Sequence, residues 1–101
     1  MSYKITRTVV RPNNSTSFYE DHADTTTLAS YIQDTYISTN KMIEKTTTIS
    51  DDGLTSVTEI TWDSSDSWNE FLTDGYLMQA YFMPSKLYEG THGMFSTFVG
   101  A

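Results

Sequence analysis

The alternation of apolar and polar positions is clearest over residues 46–71, TTTISDDGLTSVTEITWDSSDSWNEF. Two runs rich in β-branched residues flank Asp51-Asp52-Gly53, and an Asp-Gly pair between such runs predicts a tight β-hairpin because glycine tolerates positive φ. The second strand leads into Asp63-Ser64-Ser65, whose side-chain oxygens can cap a helix. The apolar residues that follow at helical spacing are Trp68, Phe71 and Leu72.

The same two patterns, alternation for strands and helical spacing for helices, predict the elements before the hairpin. We expect a first strand from Tyr3 to Arg11, a polar loop over residues 13–24 that tucks Phe18 and Tyr19 against the body, and a second strand from Met42 to Ser50. Amphipathic spacing predicts a helix from Thr26 to Ser38. Asp24 or Thr25 is expected to cap this helix, and Asn40 to end it.

After the capped helix, Gly75 is expected to break or bend the chain. Residues 76–83 are apolar on nearly every side of a helix, which is typical of a buried segment, an interface or a pocket wall. Pro84 interrupts this pattern, and Gly90 is the expected helix cap. A last strand is predicted from Met94 to Val99.

The predicted order β-α-β-β-α-β is that of an α+β, ferredoxin-like domain over residues 1–101, with a four-stranded antiparallel sheet and both helices on one face. Strands 1 and 3 are expected in the centre of the sheet. The pattern leaves open which sheet face carries the helices, because neither face of strand 1 is cleanly polar. The face without helices is too apolar for water, so we expect a second copy to cover it in a homodimer.

Composition removes several classes of function. The net charge is -7 with only six basic residues, so we expect no nucleic-acid or anionic-membrane partner. The chain has no cysteine, which excludes disulfides, thiolate metal sites and a cysteine nucleophile. No apolar run approaches the roughly 20 residues that span a bilayer, so a soluble cytoplasmic protein is expected.

The element order, together with the segment from Glu59 to Phe71, resembles the dimeric α+β barrel superfamily, which includes the antibiotic-biosynthesis-type monooxygenases. The resemblance covers the whole chain and implies the fold. Haem-degrading members use an Asn on strand 1 and a His on helix 2, and this sequence has neither, so no cofactor is expected. The Arg11-Pro12 pair followed by Phe18 is similar to small members of unknown function.

Two histidines are candidates for chemistry. His92, beside Gly93, could act as a general base, which makes it the one candidate catalytic residue, or it could simply hydrogen-bond in a turn. His22 lies between Asp21 and Asp24, but no third ligand stands at metal spacing, so we expect a solvated loop and no metal site.

Arg7 and Arg11 fall on one face of strand 1. One interpretation is an anchor for a ligand carboxylate, since guanidinium binds carboxylates in a bidentate manner. The other, which we prefer, is an ion pair with Glu59 or Glu44 on a neighbouring strand.

The segment from Tyr76 to Tyr88 is the most suggestive of a binding site. It combines aromatic and Met side chains around Pro84, a composition that lines many apolar ligand sites, although core and dimer contacts would use the same residues. The predicted ligand-binding residues are Tyr76, Met78, Tyr81, Phe82, Met83 and Arg7.

Three hypotheses for the function follow. The first is a homodimeric protein that binds a small apolar ligand, lipid-like or aromatic. The second is a cofactor-independent monooxygenase or isomerase, with His92 or a tyrosine handling the proton. The third is a structural dimeric module without a ligand. No Ser-His-Asp order, phosphate-binding glycine loop or pair of acid/base carboxylates is recognisable, so the sequence does not say whether the protein is an enzyme.

Overall fold

The computed structural model describes residues 2–100, which form one four-stranded antiparallel sheet and a layer of helices. The strands are β1 (Tyr3–Val10), β2 (Met42–Ile49), β3 (Thr55–Trp62) and β4 (Phe95–Gly100). Their order in the sheet is β2-β3-β1-β4. The predicted order is therefore confirmed, with strands 1 and 3 in the centre, and the ends of β1, β2 and β4 lie within one residue of their predicted places.

The helices lie in three regions of the chain. Between β1 and β2 are α1 (Tyr19–His22) and α2 (Thr26–Ile32), which continues through a π-helical turn at Gln33–Ile37. After β3 comes α3 (Ser65–Leu72). A last helical region consists of α4 (Gly75–Leu77), a π-helical turn at Met78–Phe82 and α5 (Met83–Thr91). No helix within residues 2–100 is long and apolar enough to cross a membrane.

The structure decides which sheet face carries the helices. On β1, Ile5, Arg7 and Val9 are buried while their neighbours are more exposed. Ile5 pairs with Ile60 of β3, so both face the helix layer. The core between the layers is mainly aromatic, and its fully buried side chains are Trp62, Tyr36, Ile5 and Leu77.

The hairpin and the helix caps follow the predicted chemistry. Gly53 has a φ of 78°, the left-handed conformation that the Asp-Gly turn requires. Ser64 caps α3, because its Oγ accepts a hydrogen bond from the backbone N–H of Ser67 at 3.3 Å. Asn40, with a φ of 61°, ends the helical region before β2 as expected. Asp24 accepts a hydrogen bond from the N–H of Thr26 at 3.1 Å, at the start of α2.

Two predicted interruptions of the last helix were wrong. Pro84 lies in the first turn of α5, directly after a π-helical turn in which the N–H of Met83 bonds to the carbonyl of Met78. The wider turn accommodates a residue that has no N–H to donate. Gly90 lies inside α5, and Gly93, with a φ of 69°, ends the helix instead. The N–H of Met94 then bonds to the carbonyl of Glu89 at 2.8 Å, which closes the C-terminus.

The loop at residues 13–24 was also predicted incompletely. It contains the short helix α1, which the pattern does not predict. Phe18 and Tyr19 are buried, as expected from their position in an otherwise polar stretch. Four residues are too few to show a helical period, so only their burial was predictable.

Candidate ligand-binding cleft

An open cleft of about 630 Å³ lies between the helix layer and the sheet. The sheet contributes Thr58 and Ile60 from β3. The helices contribute Leu28, Ala29 and Ile32 of α2 and Trp68 and Phe71 of α3. Tyr81, Phe82 and Phe98 complete an aromatic wall. Most of these side chains are apolar, which is the usual make-up of a small-molecule site.

A buried arginine forms the polar end of this cleft. The guanidinium of Arg7 donates to Glu20 at 2.8 Å through NH1 and to Glu89 at 2.9 Å through NH2. Tyr81 donates its hydroxyl proton to the same Glu20 oxygen, Oε1, at 2.7 Å. Ser96 donates to the second oxygen of Glu89 at 2.9 Å. We call Arg7, Glu20, Tyr81 and Glu89 the Arg7 cluster.

The charges of the Arg7 cluster determine its protonation. Burial disfavours ionisation of Glu20, but the charge of Arg7 and the hydrogen bond from Tyr81 outweigh it and lower the pKa of Glu20. Burial raises the pKa of Tyr81, and the nearby carboxylates add to the effect against the opposing charge of Arg7. Tyr81 therefore keeps its proton and acts as a hydrogen-bond donor.

The predicted partners of the arginines were wrong. Glu59 pairs in register with Thr6 and Glu44 with Thr61, which puts both carboxylates on the helix-free face, opposite Arg7. Glu59 forms its ion pair with Lys4 instead, at 2.7 Å. The ion-pair interpretation holds for Arg7, but its partners come from α1 and α5.

Arg11 forms no ion pair among residues 2–100. Its guanidinium donates to the backbone carbonyls of Gly53 at 2.8 Å and Thr16 at 2.9 Å. It also lies over the ring of Phe18, 4.4 Å from the ring centroid. Arg11 thus ties the hairpin turn to the loop after β1, which is a structural role.

The structure brings together only part of the predicted ligand-binding set. Arg7, Tyr81 and Phe82 line the cleft. The other three predicted residues, Tyr76, Met78 and Met83, lie outside its lining and are exposed. Consecutive side chains of a helix point to different faces, so only part of this segment reaches the cleft. Ligand binding by any of these residues stays a prediction.

Both histidines lie away from the cleft. The Nδ1 atom of His92 is 2.8 Å from the carbonyl oxygen of Tyr88, and its ring stacks on the Tyr88 ring with centroids 4.1 Å apart. His22 stacks on the same tyrosine at 4.6 Å. This geometry gives His92 the turn hydrogen bond that was one of its two interpretations. Within residues 2–100, no group of three His, Asp or Glu side chains could hold a metal ion.

Sequence reasoning missed the two carboxylates of the Arg7 cluster. Glu20 is 13 positions from Arg7 and Glu89 is 82 positions away, so no local period connects them. The available signal was Arg7 itself, since a charged residue between Ile5 and Val9 on a buried face requires a counter-charge from the layer above.

Comparisons with known proteins bear on the fold. No protein-family model and no curated protein sequence matches this chain. Among solved structures, a dimeric ferredoxin-like protein from an uncultured marine organism is similar over 99% of this chain and 92% of its own, with a TM-score of 0.63 and 8% identity. The chain has a ferredoxin-like α+β fold. This confirms the ferredoxin-like fold that the resemblance in the sequence implies. The protein Rv0793 from Mycobacterium tuberculosis is similar at a TM-score of 0.42 and 15% identity, over 97% of this chain and 91% of its own.

Proposed function

We propose that this protein is a homodimer that binds a small apolar or aromatic molecule in the cleft between helix layer and sheet. The observation that carries the proposal is the cleft itself, an open volume of about 630 Å³ with aromatic walls and a polar end. Volumes of this order, roughly 300–1,000 Å³, are usual for sites that hold small organic ligands.

The shape and chemistry of the walls support an apolar ligand body. Trp68 and Phe71 stack with a ring separation of 5.9 Å, and Phe98 lies 5.4 Å from Trp68. Flat rings in contact with one another offer an edge or a face to a ligand ring. Burial of an apolar ligand against these rings supplies the affinity, and the Arg7 cluster at one end supplies an orientation.

The geometry favours binding over catalysis. Tyr81 holds its proton, and Glu20 and Glu89 are each engaged with Arg7. His92, the candidate general base, lies outside the cleft lining. A proton-handling role would require a group free to gain and lose a proton beside the ligand, which none of these four residues offers.

The helix-free sheet face supports the homodimer. The apolar side chains exposed there include Phe95 (74% exposed), Val99 (62%) and Val10 (38%), on the two strands β1 and β4. Exposed apolar side chains concentrated on one sheet face are typical of an interface. The marine structural neighbour is described as dimeric, which supports the same arrangement for this chain.

Calorimetric titration with naphthylethanol, a neutral aromatic probe, tests binding in the cleft. Ala29 lines the cleft, whereas Ser30, the next residue of α2, does not, so Ala29→Phe and Ser30→Phe add the same side chain inside and outside it. We expect Ala29→Phe to weaken binding at least about tenfold and Ser30→Phe to leave it unchanged. Equal affinities in both variants would place the probe elsewhere, and the absence of binding to the wild type would overturn the proposal.

A further inference from the structure

The Arg7 cluster carries a net negative charge, and Lys86 lines a smaller pocket on the Glu89 side of it. The single positive charge of Arg7 faces two carboxylates, Glu20 and Glu89, which gives these groups a net charge of -1. Asp21, on the same short helix as Glu20, also lines the cleft and adds another negative charge. The lysine of the described lining, Lys45, lies on β2, which is separated from β1 by β3.

Arg7 is not free to receive a ligand anion. Its two terminal nitrogens are already within 2.9 Å of carboxylate oxygens, and its side chain is only 11% exposed. A ligand carboxylate would have to displace Glu20 or Glu89, or lie unpaired beside them. Either arrangement leaves a charge without compensation in a partly buried site, which is unfavourable.

Glu20, in contrast, is open to a ligand donor. Both side-chain donors that reach it within residues 2–100, from Arg7 and Tyr81, use its oxygen Oε1. Its side chain is 41% exposed, and Glu20 lines the cleft, so its other oxygen can accept from a bound molecule. An ammonium group provides up to three N–H donors and forms charge-assisted hydrogen bonds with a carboxylate.

Two aromatic rings lie beside the Arg7 cluster. The centroids of the Tyr81 and Phe98 rings are each 5.9 Å from the guanidinium carbon of Arg7, so these rings already stabilise one cation, that of Arg7. The net charge of the whole chain, -7, also attracts cations and repels anions at longer range.

We propose that the cleft selects an organic cation, an amine joined to an apolar or aromatic body, over the matching carboxylate. The ammonium group binds Glu20 beside the rings of Tyr81 and Phe98, and the apolar body lies along Trp68 and Phe71. This inference rests on the proposed function, because it names the chemical class of ligand for the same cleft.

Three probes of the same ring isomer test it: naphthylethylamine (cationic), naphthylethanol (neutral) and naphthylacetate (anionic). We expect the amine to bind about tenfold more tightly than the acid, with the alcohol between them, because a hydrogen bond to a charged group is worth more than a neutral one. The affinity of the amine should fall with added salt, while that of the alcohol should not change.

Glu20→Gln removes the charge and keeps the shape of the side chain, so it should bring the amine and the alcohol to similar affinities. Glu70→Gln removes the same charge at an exposed pair with Lys41 and should leave the order of the three probes unchanged. If circular dichroism shows that Glu20→Gln does not fold, the effect of salt on the affinity of the wild-type protein for the amine tests the proposal instead.

The possible results separate this inference from the proposed function. Binding of the alcohol that Ala29→Phe weakens, with the acid equal to or tighter than the amine, overturns the cation preference and leaves the proposed function standing. A failure of all three probes to bind overturns both. An amine preference that survives Glu20→Gln unchanged, or that does not respond to salt, overturns the assignment to Glu20.

Discussion

At the scale of single residues, Arg7 links the helix layer to the sheet through two ion pairs. It is 9% exposed, and α1 and α5 each contribute one carboxylate to it. These two ion pairs therefore join α1 and α5 to the central strand β1. A buried charge that loses its partner strongly destabilises the fold, whereas an exposed ion pair contributes little to stability. The burial of each ion pair therefore predicts how much its loss lowers the free energy of unfolding.

Two glutamates of similar geometry test this difference. Glu89 on α5 pairs with buried Arg7 at 2.9 Å, and Glu70 on α3, whose side chain is 51% exposed, pairs with Lys41 at 2.7 Å. We expect Glu89→Ala to lower the free energy of unfolding by about 3 kcal/mol and Glu70→Ala by less than about 1 kcal/mol, measured by urea denaturation. Equal losses would show that burial does not set the strength of the Arg7–Glu89 pair.

The sequence predicts the face of Arg7 but not its partners. Alternation along β1 places Arg7 beside Ile5 and Val9, and this placement is correct. The identity of the counter-charge depends on how α1 and α5 lie over the sheet, which is a long-range property. The same holds for the cleft, whose walls come from α2, α3 and β4 as well as from the predicted segment.

At the scale of elements, Asp74 joins two helical segments. Its Oδ1 accepts from the N–H groups of Tyr76 and Leu77 at the start of α4, and its Oδ2 accepts from the hydroxyls of Tyr31 at 2.6 Å and Tyr36 at 2.7 Å. Burial raises the pKa of Asp74, but these hydrogen bonds outweigh it, so the pKa is below the usual value.

Substitution Asp74→Asn should lower the free energy of unfolding by about 1–2 kcal/mol at pH 7, because an amide has one acceptor oxygen where the carboxylate has two. Because folding lowers the pKa of Asp74, its ionised carboxylate stabilises the fold at pH values above its pKa in the unfolded chain, which is about 4. This stabilisation is lost as the pH falls through the pKa of Asp74 in the folded protein. The difference between wild type and variant in urea denaturation should therefore shrink as the pH is lowered below about 4.

Asp34→Asn, at an exposed position of the π-helical turn, serves as the control and should change stability little at either pH. A loss in Asp74→Asn that is equally large at low pH would show that the ionised carboxylate is not what stabilises this junction.

The end of the last helix gives a second test at this scale. Gly90 lies inside α5 with open space around an added Cβ, whereas Gly93 has a φ of 69°. We expect Gly90→Ala to raise the free energy of unfolding by about 0.5–1 kcal/mol and Gly93→Ala to lower it by about 1 kcal/mol, measured by thermal or urea denaturation. Opposite signs would confirm the helix end at Thr91, and the same sign in both variants would contradict it.

These elements show what the sequence specifies at intermediate range. The hairpin turn, the cap at Ser64 and the helix end at Asn40 are each determined by one or two residues, and all three are predictable. The helix continues past Pro84 because of the π-helical turn before it, and no single residue predicts that turn. The choice between Gly90 and Gly93 as helix end depends on where α5 meets β4.

At the scale of the whole molecule, the helix-free sheet face is where we propose that two copies meet. The central strand β1 presents Thr8 on this face, paired in register with Val57 on one side and Thr97 on the other. Small uncharged side chains at its centre, with Phe95 and Val99 exposed on the edge strand, suit a dry contact between two sheets.

Sedimentation equilibrium at micromolar concentration should give a mass about twice that of the 11.5 kDa chain. Thr8→Lys puts one ammonium group from each copy into the contact, so the dissociation constant should rise by about a hundredfold or more, because two like charges lose water without gaining partners. Thr27→Lys, at an exposed position of α2, adds the same charge away from this face and should leave the dimer intact. Single wild-type chains would overturn the dimer, and a Thr8→Lys dimer as tight as the wild type would place the interface on another surface.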